Sequence, residues 1–409
     1  MLRSMFSAIS GLKAHQTKLD TVGNNIANVN TVGFKSSQTV FQDTLSQVLS
    51  NGSAPTEDNG GTNPAQVGLG VKVAGITTNF SQGSTQSTGR STDFMIGGDG
   101  FFVTQSGGAQ TYTRAGSFDF DGQGRLVTSD GSILQGWMAE DGKVDTNGAI
   151  GALSVPYGQV MPPKASTKGG FTGNLSSGAA ADATSAVESQ ITMFDALGNA
   201  HQITATFTRT AAAAPPATSG EWSVTLKEGA TTPPVGTGTI TFDAAGKVLT
   251  GGELKFTPAD QSEITLDLSG ITQFGAASSM KPTNDGDGYA MGTLQSFSLS
   301  EDGTVVGVYS NSLRQDIGKL ALATFSNPGG LEKAGNSSYR VGNNSGAAVI
   351  GPAGANGAGK LSAGALEMSN VDLASEFTDL IIAQRGFQAN SRVITTSDEV
   401  LQSLVQLGR

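Results

Sequence analysis

The sequence predicts a mostly β protein with helical termini: an inner β domain and an inserted outer β sandwich or barrel, nested within a terminal α-helical coiled-coil domain. Three observations predict it. Apolar residues recur at steps of three and four only near the two ends of the 409 residues, which is the pattern of a helical seam. Between about residues 68 and 361 the pattern alternates with period two, as half-buried strands do. Gly accounts for 57 residues and charged residues for 14%, against about 25% in ordinary soluble chains, a balance that favours turn-rich β structure.

The first element is a helix. Leu2, Met5, Ile9, Leu12, Gln16, Leu19, Gly23 and Ile26 alternate steps of three and four, giving a helix of roughly 35–40 Å over about residues 4–28. It runs into "GNNIANVNTVGFK" (23–35), where Asn24, Asn25, Asn28 and Asn30 crowd together. Asn amides compete for backbone hydrogen bonds and tolerate left-handed backbone, so they end helices. Gly33 then supplies a free φ, and Phe34 an apolar anchor for the chain as it turns away. Residues 1–35 belong to the terminal domain and 36–70 to a connector. The polar part of the connector, "SNGSAPTEDNGGTNPAQ" (50–66), reads equally as a loose loop or an ordered link.

The inner β domain takes residues 71–163 and 281–364. "GGDGFFV" (97–103) is a turn into a strand. "SFDFDGQGRLV" (117–127) puts Phe118 and Phe120 on one face and turns at Asp121 and Gly122. "FSLSEDGTVVGVY" (297–309) repeats the device with Phe297, Leu299, Asp302 and Gly303. The outer domain, 164–280, lies between two stretches that read as linkers, "MPPKASTKGG" (161–170) and "SSMKPTNDGDG" (278–288). Inside it, Ile203, Ala205 and Phe207 alternate with polar residues. So do Trp222, Val224 and Leu226; Ile240 and Phe242; Leu254 and Phe256; and Ile264, Leu266 and Leu268. About six short strands of this kind make a sandwich or small barrel. "TAAAAPPATSG" (210–220) is an exposed loop.

The last element, within 365–409, is again a helix. Leu373, Phe377, Leu380, Gln384, Phe387, Ser391, Ile394, Asp398, Leu401 and Val405 follow the same steps as the first. Ser369 with Asp372 resembles a capping box, and Asp372 and Glu376 sit where the helix dipole favours acids. Thr396 with Glu399 offers a second box, so a break near residue 395 is expected. Narrow seams of this kind repay little of the entropy of ordering two helices, so the pair should be marginal until other copies pack on it.

The net charge of −10 disfavours a nucleic-acid partner. Residues 1–50 hold four cations against two acids and residues 361–409 three against six, so the ends suit packing against each other. Cysteine is absent, which excludes disulfides and thiolate metal sites. No run of about 18 apolar residues would insert in a membrane. The first residues lack the apolar core of a cleaved secretory signal.

Chemistry is not in evidence. His15 lies off the seam and His201 opens a strand, too few ligands for a zinc site. "NDGDG" (284–288) and "DFDGQG" (119–124) lack the downstream Glu of a calcium loop and read as turns. "GLGVKV" (68–73) falls short of the dinucleotide fingerprint. No enzyme, cofactor or metal is expected.

Residues 23–35 resemble the N-terminal signature of the flagellar rod and hook axial family. "SNVDLASEFTDLIIAQRGFQANSRVITTSDEVLQSLVQL" (369–407) resembles its C-terminal signature. "GLGVKVAGI" (68–76), "GDGFFV" (98–103) and "YTRAGSFDFDGQGRLVTSDGSILQGW" (112–137) are similar to the family's inner β domain. "ITMFDALGNAH" (191–201) and "ITLDLSGITQF" (264–274) are similar to the outer domain of its hook members. The resemblance implies an extracellular structural subunit of the hook, polymerising into a flexible tube that transmits torque. It also implies export through the flagellar export apparatus without a cleaved signal. The partners implied are copies of the chain itself, distal rod, hook cap and hook–filament junction proteins. A distal-rod or junction protein is the alternative within the family, and a secreted β-rich adhesin is the alternative outside it. The rod members are shorter and lack the block at about 165–280, which favours hook. The length of the 50–66 segment is more reminiscent of the distal rod.

Overall fold

A computed structural model describes residues 2–55, 60–140, 142–155, 158, 160–211, 220–229, 234–258, 263–283 and 286–407. Connector residues 56–59, the core of the loop expected at 210–220, the start of the turn at 284–288 and the side chain of Leu2 lie outside the described residues. The chain forms two compact units. One comprises Met1–Pro156, Phe297–Gly307 and Gln315–Arg409; the other comprises Tyr157–Ser296 and Val308–Arg314.

In the first unit, helix α1 (Leu2–Ala27) and helix α2 (Leu373–Leu407) run antiparallel. Asn390 lies against Gly11 and His15 against Gly386, four residues forward on α1 for four back on α2. A Cβ on Gly11 would stand 2.8 Å from the Asn390 amide, and one on Gly386 2.5 Å from the His15 ring. Glycine at both points lets the axes close up. After Ala27 the hydrogen bonds shorten their reach, Val29 N to Ile26 O and Thr31 N to Asn28 O, a tightened last turn.

Two expectations about α2 are corrected. Its N-cap is Asp372, whose Oδ1 accepts from Ala374 N (2.9 Å) and Ser375 N (3.4 Å). Ser369 stands outside the helix, its Oγ accepting from Val371 N. The helix does not break near residue 395. One helix runs from Leu373 to Leu407 through Thr396 and Glu399, and the flanking Thr395 and Ser397 hydroxyls donate to Arg392 O (3.0 Å) and Val393 O (2.7 Å), carbonyls of that same helix.

The connector, left open between a loop and an ordered link, carries three strands among its described residues. Strand β1 (Ser37–Asp43) pairs with β4 (Val71–Thr78), and β2 (Ser46–Ser50) with β3 (Ala65–Gly68), both antiparallel. The β1–β4 pair lies on α1, with Phe41 edge-on to His15 at 5.7 Å and Val71 N donating to Ser10 Oγ at 3.2 Å. β2 and β3 are exposed on both faces. A ladder held by backbone groups alone needs no apolar alternation, so the sequence carried no period-two signal there.

The inner β domain is built on neighbouring strands Ser338–Arg340, Ala109–Thr113, Phe101–Ser106, Ile133–Glu140 and Arg314–Thr324. Phe101, Val103, Tyr112, Trp137, Ala321, Ala323 and Tyr339 form one buried cluster there. Strand Phe118–Phe120 pairs with Leu126–Thr128. Gly124 (φ 75°), rather than Gly122, takes the left-handed place in that turn, because the Asp121 carboxylate accepts from Gln123 N and Arg125 N.

In the second unit, strands Val187–Phe194, Ala200–Ala211, Glu221–Glu228, Gly236–Phe242 and Val248–Thr250 form a meander. It faces a sheet of Glu253–Phe256, Ile264–Asp267, Lys168–Ser176 and Ile271–Phe274, with Ser279–Pro282 on the edge. Ile203, Ala205, Phe207, Trp222, Val224, Leu226, Ile264 and Leu266 are fully buried between them. This is a two-sheet sandwich joined at one corner by the Lys247–Thr272 bridge. The stretches read as linkers contribute strands: Lys168–Gly170 opens a strand that runs on through the core residues Phe171 and Leu175, and Ser279–Pro282 pairs with its Phe171–Asn174. Glycine hid them. A Cβ on Gly169 would stand 2.5 Å from Met193 Cε, and one on Gly173 would collide with Ser279 O.

Candidate polymer interface and helix-exit junction

The contact between α1 and α2 is made by small and polar residues. Ala8, Ala14, Val22 and Asn25 are buried on α1, and Ala383 on α2. Lys18 Nζ meets Asp379 Oδ1 at 3.0 Å. The seam residues Met5, Leu12, Leu19 and Ile26 are half-buried at the edge of this contact, and Ile9 is exposed. On α2, Leu380, Phe387, Ile394 and Leu401 are half-buried, whereas Leu373, Phe377 (51%) and Val405 (71%) are exposed. Phe6 (64%), Ile381 (55%), Ile382, Val393 and Val400 are exposed too. Sequence reasoning missed these five; their signal was apolar spacing displaced by a residue or two from the seam. The pair therefore presents an apolar surface that its own chain does not cover.

Where α1 ends, the Asn-rich signature builds a junction. Asn25 is 1% exposed, and both ends of its amide are engaged: Nδ2 donates to Ser37 O (2.8 Å) and Glu376 Oε1 (2.8 Å), and Oδ1 accepts from Ser37 N (3.0 Å). It ties α1, β1 and α2 at one point. Asn28 Nδ2 donates to Asn24 O, and Asn28 Oδ1 accepts from the Thr31 hydroxyl. Asn24 and Asn30 are exposed. Gly33 (φ 68°) donates its N–H to Glu367 O. A Cβ there would stand 2.5 Å from Ala115 N and 2.6 Å from Arg114 C. The Phe34 ring lies under the Lys333 ammonium at 5.4 Å, a cation–π contact.

Beside it lies a buried ion cluster. Glu367 takes Lys35 Nζ at 2.6 Å on Oε1 and Arg114 at 3.3 Å on Oε2. All three side chains are at most 2% exposed. Gly83 N donates to Glu367 Oε1, and Lys35 Nζ also donates to Ser81 O. Asn370 extends the network, accepting from Ser36 N and donating to Asn79 O and Ser81 O. Burial pulls the Lys35 ammonium below its ordinary value, and the Glu367 carboxylate opposes that shift. Burial raises the Glu376 carboxyl, with the Asn25 amide opposing it. None of Lys35, Glu367, Arg114 and Asn370 stood out in the sequence as a site residue. In a chain so poor in charge, a lysine closing the Asn-rich signature was the available signal.

Several titratable groups elsewhere are engaged by neighbouring backbone and side chains. Asp287 Oδ1 and Oδ2 accept from Thr167, and Asp121 holds its own turn. His201 Nδ1 contacts Glu228 at 2.5 Å. Among the described residues no cluster of His, Asp or Glu has the makings of a metal site, and no helix is long and apolar enough to cross a membrane.

Comparison with known proteins gives a consistent result. Residues 5–35 match the family model described as Flagella basal body rod protein, and 95–167 match Flagellar hook protein FlgE/F/G D1 domain. Residues 172–289 match Flagellar basal body protein FlaE D2 domain, and 362–407 match Flagellar basal body rod FlgEFG protein C-terminal. The chain is 40% identical to the flagellar hook protein FlgE of Treponema pallidum over 469 aligned positions, covering 100% of both. It is 39% identical to that of Borreliella burgdorferi, again over 100% of both. It is 34% identical to the flagellar basal-body rod protein FlgG of Bacillus subtilis, also end to end. The fold is similar to the crystal structure of Helicobacter pylori flagellar hook protein FlgE2, with a TM-score of 0.55 at 13% identity over 68% of this chain and 98% of that one.

Proposed function

The chain belongs to the flagellar hook protein family, and from that premise we propose that it is the structural subunit of a flagellar hook, acting by self-assembly and not as an enzyme. The observation that carries this reading is the uncovered apolar surface of the paired terminal helices, with Phe6, Phe377, Ile381 and Val405 all more than half exposed. Sister copies of α1 and α2 bury it and form the inner layer of a tube. The finer division into terminal helices, inner β domain and outer inserted β domain assigns the β parts to successive outer layers. These slide past neighbours as the tube bends under torque, and their scarcity of charge leaves few ion pairs to lock one register. The subunit travels unfolded through the export apparatus with no signal cleaved. It meets distal rod, cap and hook–filament junction proteins at the ends of the tube.

The likeness to a rod protein supports a second reading, a straight distal rod subunit. The match of residues 172–289 to the D2 domain model favours the hook. Electron microscopy of the assembled protein separates the two. Short curved tubes support the hook, straight tubes the rod, and a protein that stays monomeric under all assembly conditions defeats both.

A further inference from the structure

Five groups on α1 share the face turned away from α2 and from the β1–β4 pair: Phe6, Ile9, Lys13, Gln16 and Asp20 are all exposed. Their steps of three and four make a stripe one helix wide. Two of the five are charged, with the cation seven residues before the acid. On α2, Arg392 and Glu399 are also exposed and also seven apart, again cation before acid. Among the described residues none of these four charges has an ion-pair partner. Val393 and Val400, exposed as well, follow Arg392 and Glu399 in the chain, about 100° round the helix from them. Because the helices run antiparallel, equal order of sign along each chain becomes opposite sign across a contact. Laying Glu399 on Lys13 brings Arg392 onto Asp20 in the same step.

The chain cannot make these pairs with itself. Gly11 is level with Asn390, so Lys13 is level with Gln388, and Glu399 lies roughly eleven residues, about 16 Å, further along the axis. We propose that a neighbouring copy lays its α2 along the free face of this α1, with its Glu399 on Lys13 and its Arg392 on Asp20, and that this pair of contacts sets the axial step between the two copies. The proposal rests on the self-assembly reading above. Exposed ion pairs contribute little affinity, but paired charges flanking an apolar stripe select one register and reject its shifted alternatives, as in coiled coils. In that register Ile9 of one copy and Val400 of the next stand within a turn of each other along the axis.

The test uses the full chain, which contains no cysteine of its own. A Lys13→Cys, Glu399→Cys double variant is assembled and then oxidised, with Lys13→Cys, Gln388→Cys as the register control. The two Cys of the first variant are about 16 Å apart along the axis within one chain, beyond disulfide reach, so any bond it forms joins two copies. A ladder of linked subunits from the 13/399 variant, absent from dispersed monomer, is the expected result. Polymer that forms with no ladder, or a ladder only from the 13/388 variant, overturns the register while leaving self-assembly standing. A wild-type chain that forms no polymer defeats the assembly reading instead. In parallel, Lys13→Glu should raise the critical concentration for assembly about fivefold, and Glu399→Lys added to it should restore assembly to within about twofold. Failure of the second change to rescue the first overturns the pairing.

Discussion

Gly33 is required twice over, by its left-handed φ of 68° and by the backbone of Arg114 and Ala115 packed against it. Gly33→Ala should cost about 2–4 kcal/mol, read as a lower urea midpoint for the unit that holds the junction. Glu367→Gln should cost about 3–5 kcal/mol, because it leaves Lys35 and Arg114 buried without a counter-charge. Replacing Lys35, Glu367 and Arg114 together by apolar residues should cost less than that single change, since desolvation then vanishes with the charges. Tyr339 provides a pH signature. Burial holds its phenol up to about 12, so the unfolded chain ionises first as pH rises. Its contribution is whole below pH 10 and is lost between 10 and about 12, roughly 2–3 kcal/mol in all. Tyr339→Phe should flatten that part of the stability–pH curve, measured by urea titration at each pH.

At the scale of elements, the two helices approach through Gly11 and Gly386. Gly386→Val puts branched carbon into the His15 ring and should force the axes apart at a cost of about 1–3 kcal/mol. Amide exchange along α1 should rise while the strands of the sandwich keep their protection. Elements with strong periodicity were legible from the residues. The strands carrying Ile203, Phe207, Trp222 and Leu226 alternate cleanly because one face of each is sealed in the core. Strands whose alternation was masked escaped detection. The segment 168–176 carries glycines where neighbours crowd, and β2 and β3 bury neither face. The junction was half legible. Asn25 and Gly33 announced a helix exit, but Glu367 lies 332 residues from Lys35 in the chain, and no local pattern signals a partner so remote. The helical seams pointed to a face needing company. They could not say that small residues would close the pair and leave larger ones such as Phe6 and Ile381 outside, because that choice is made by the second helix.

At the scale of the whole molecule, stability should be uneven. The sandwich of the second unit has a closed core, whereas the terminal helices lack cover. Hydrogen exchange on dilute monomer should show fast amides in α1 and in the C-terminal half of α2 and slow ones in the strands. Assembly should protect the helices and change the strands little. Helical amides as slow in monomer as in polymer would remove the basis for ordering on assembly. Charged pairs engineered into the outer β contacts should stiffen the tube, measured as a longer bending persistence by electron microscopy. The unequal length of the helices has one more consequence. With Gly11 level with Asn390, α1 runs out near the level of residue 399, while α2 continues to Leu407. That overhang is about 12 Å of helix beyond the described residues of α1, and Val405 upon it is bare. In a head-to-tail polymer each such overhang lies against the next copy, so one end of the polymer leaves it bare and the other does not, a leading tip and a trailing one.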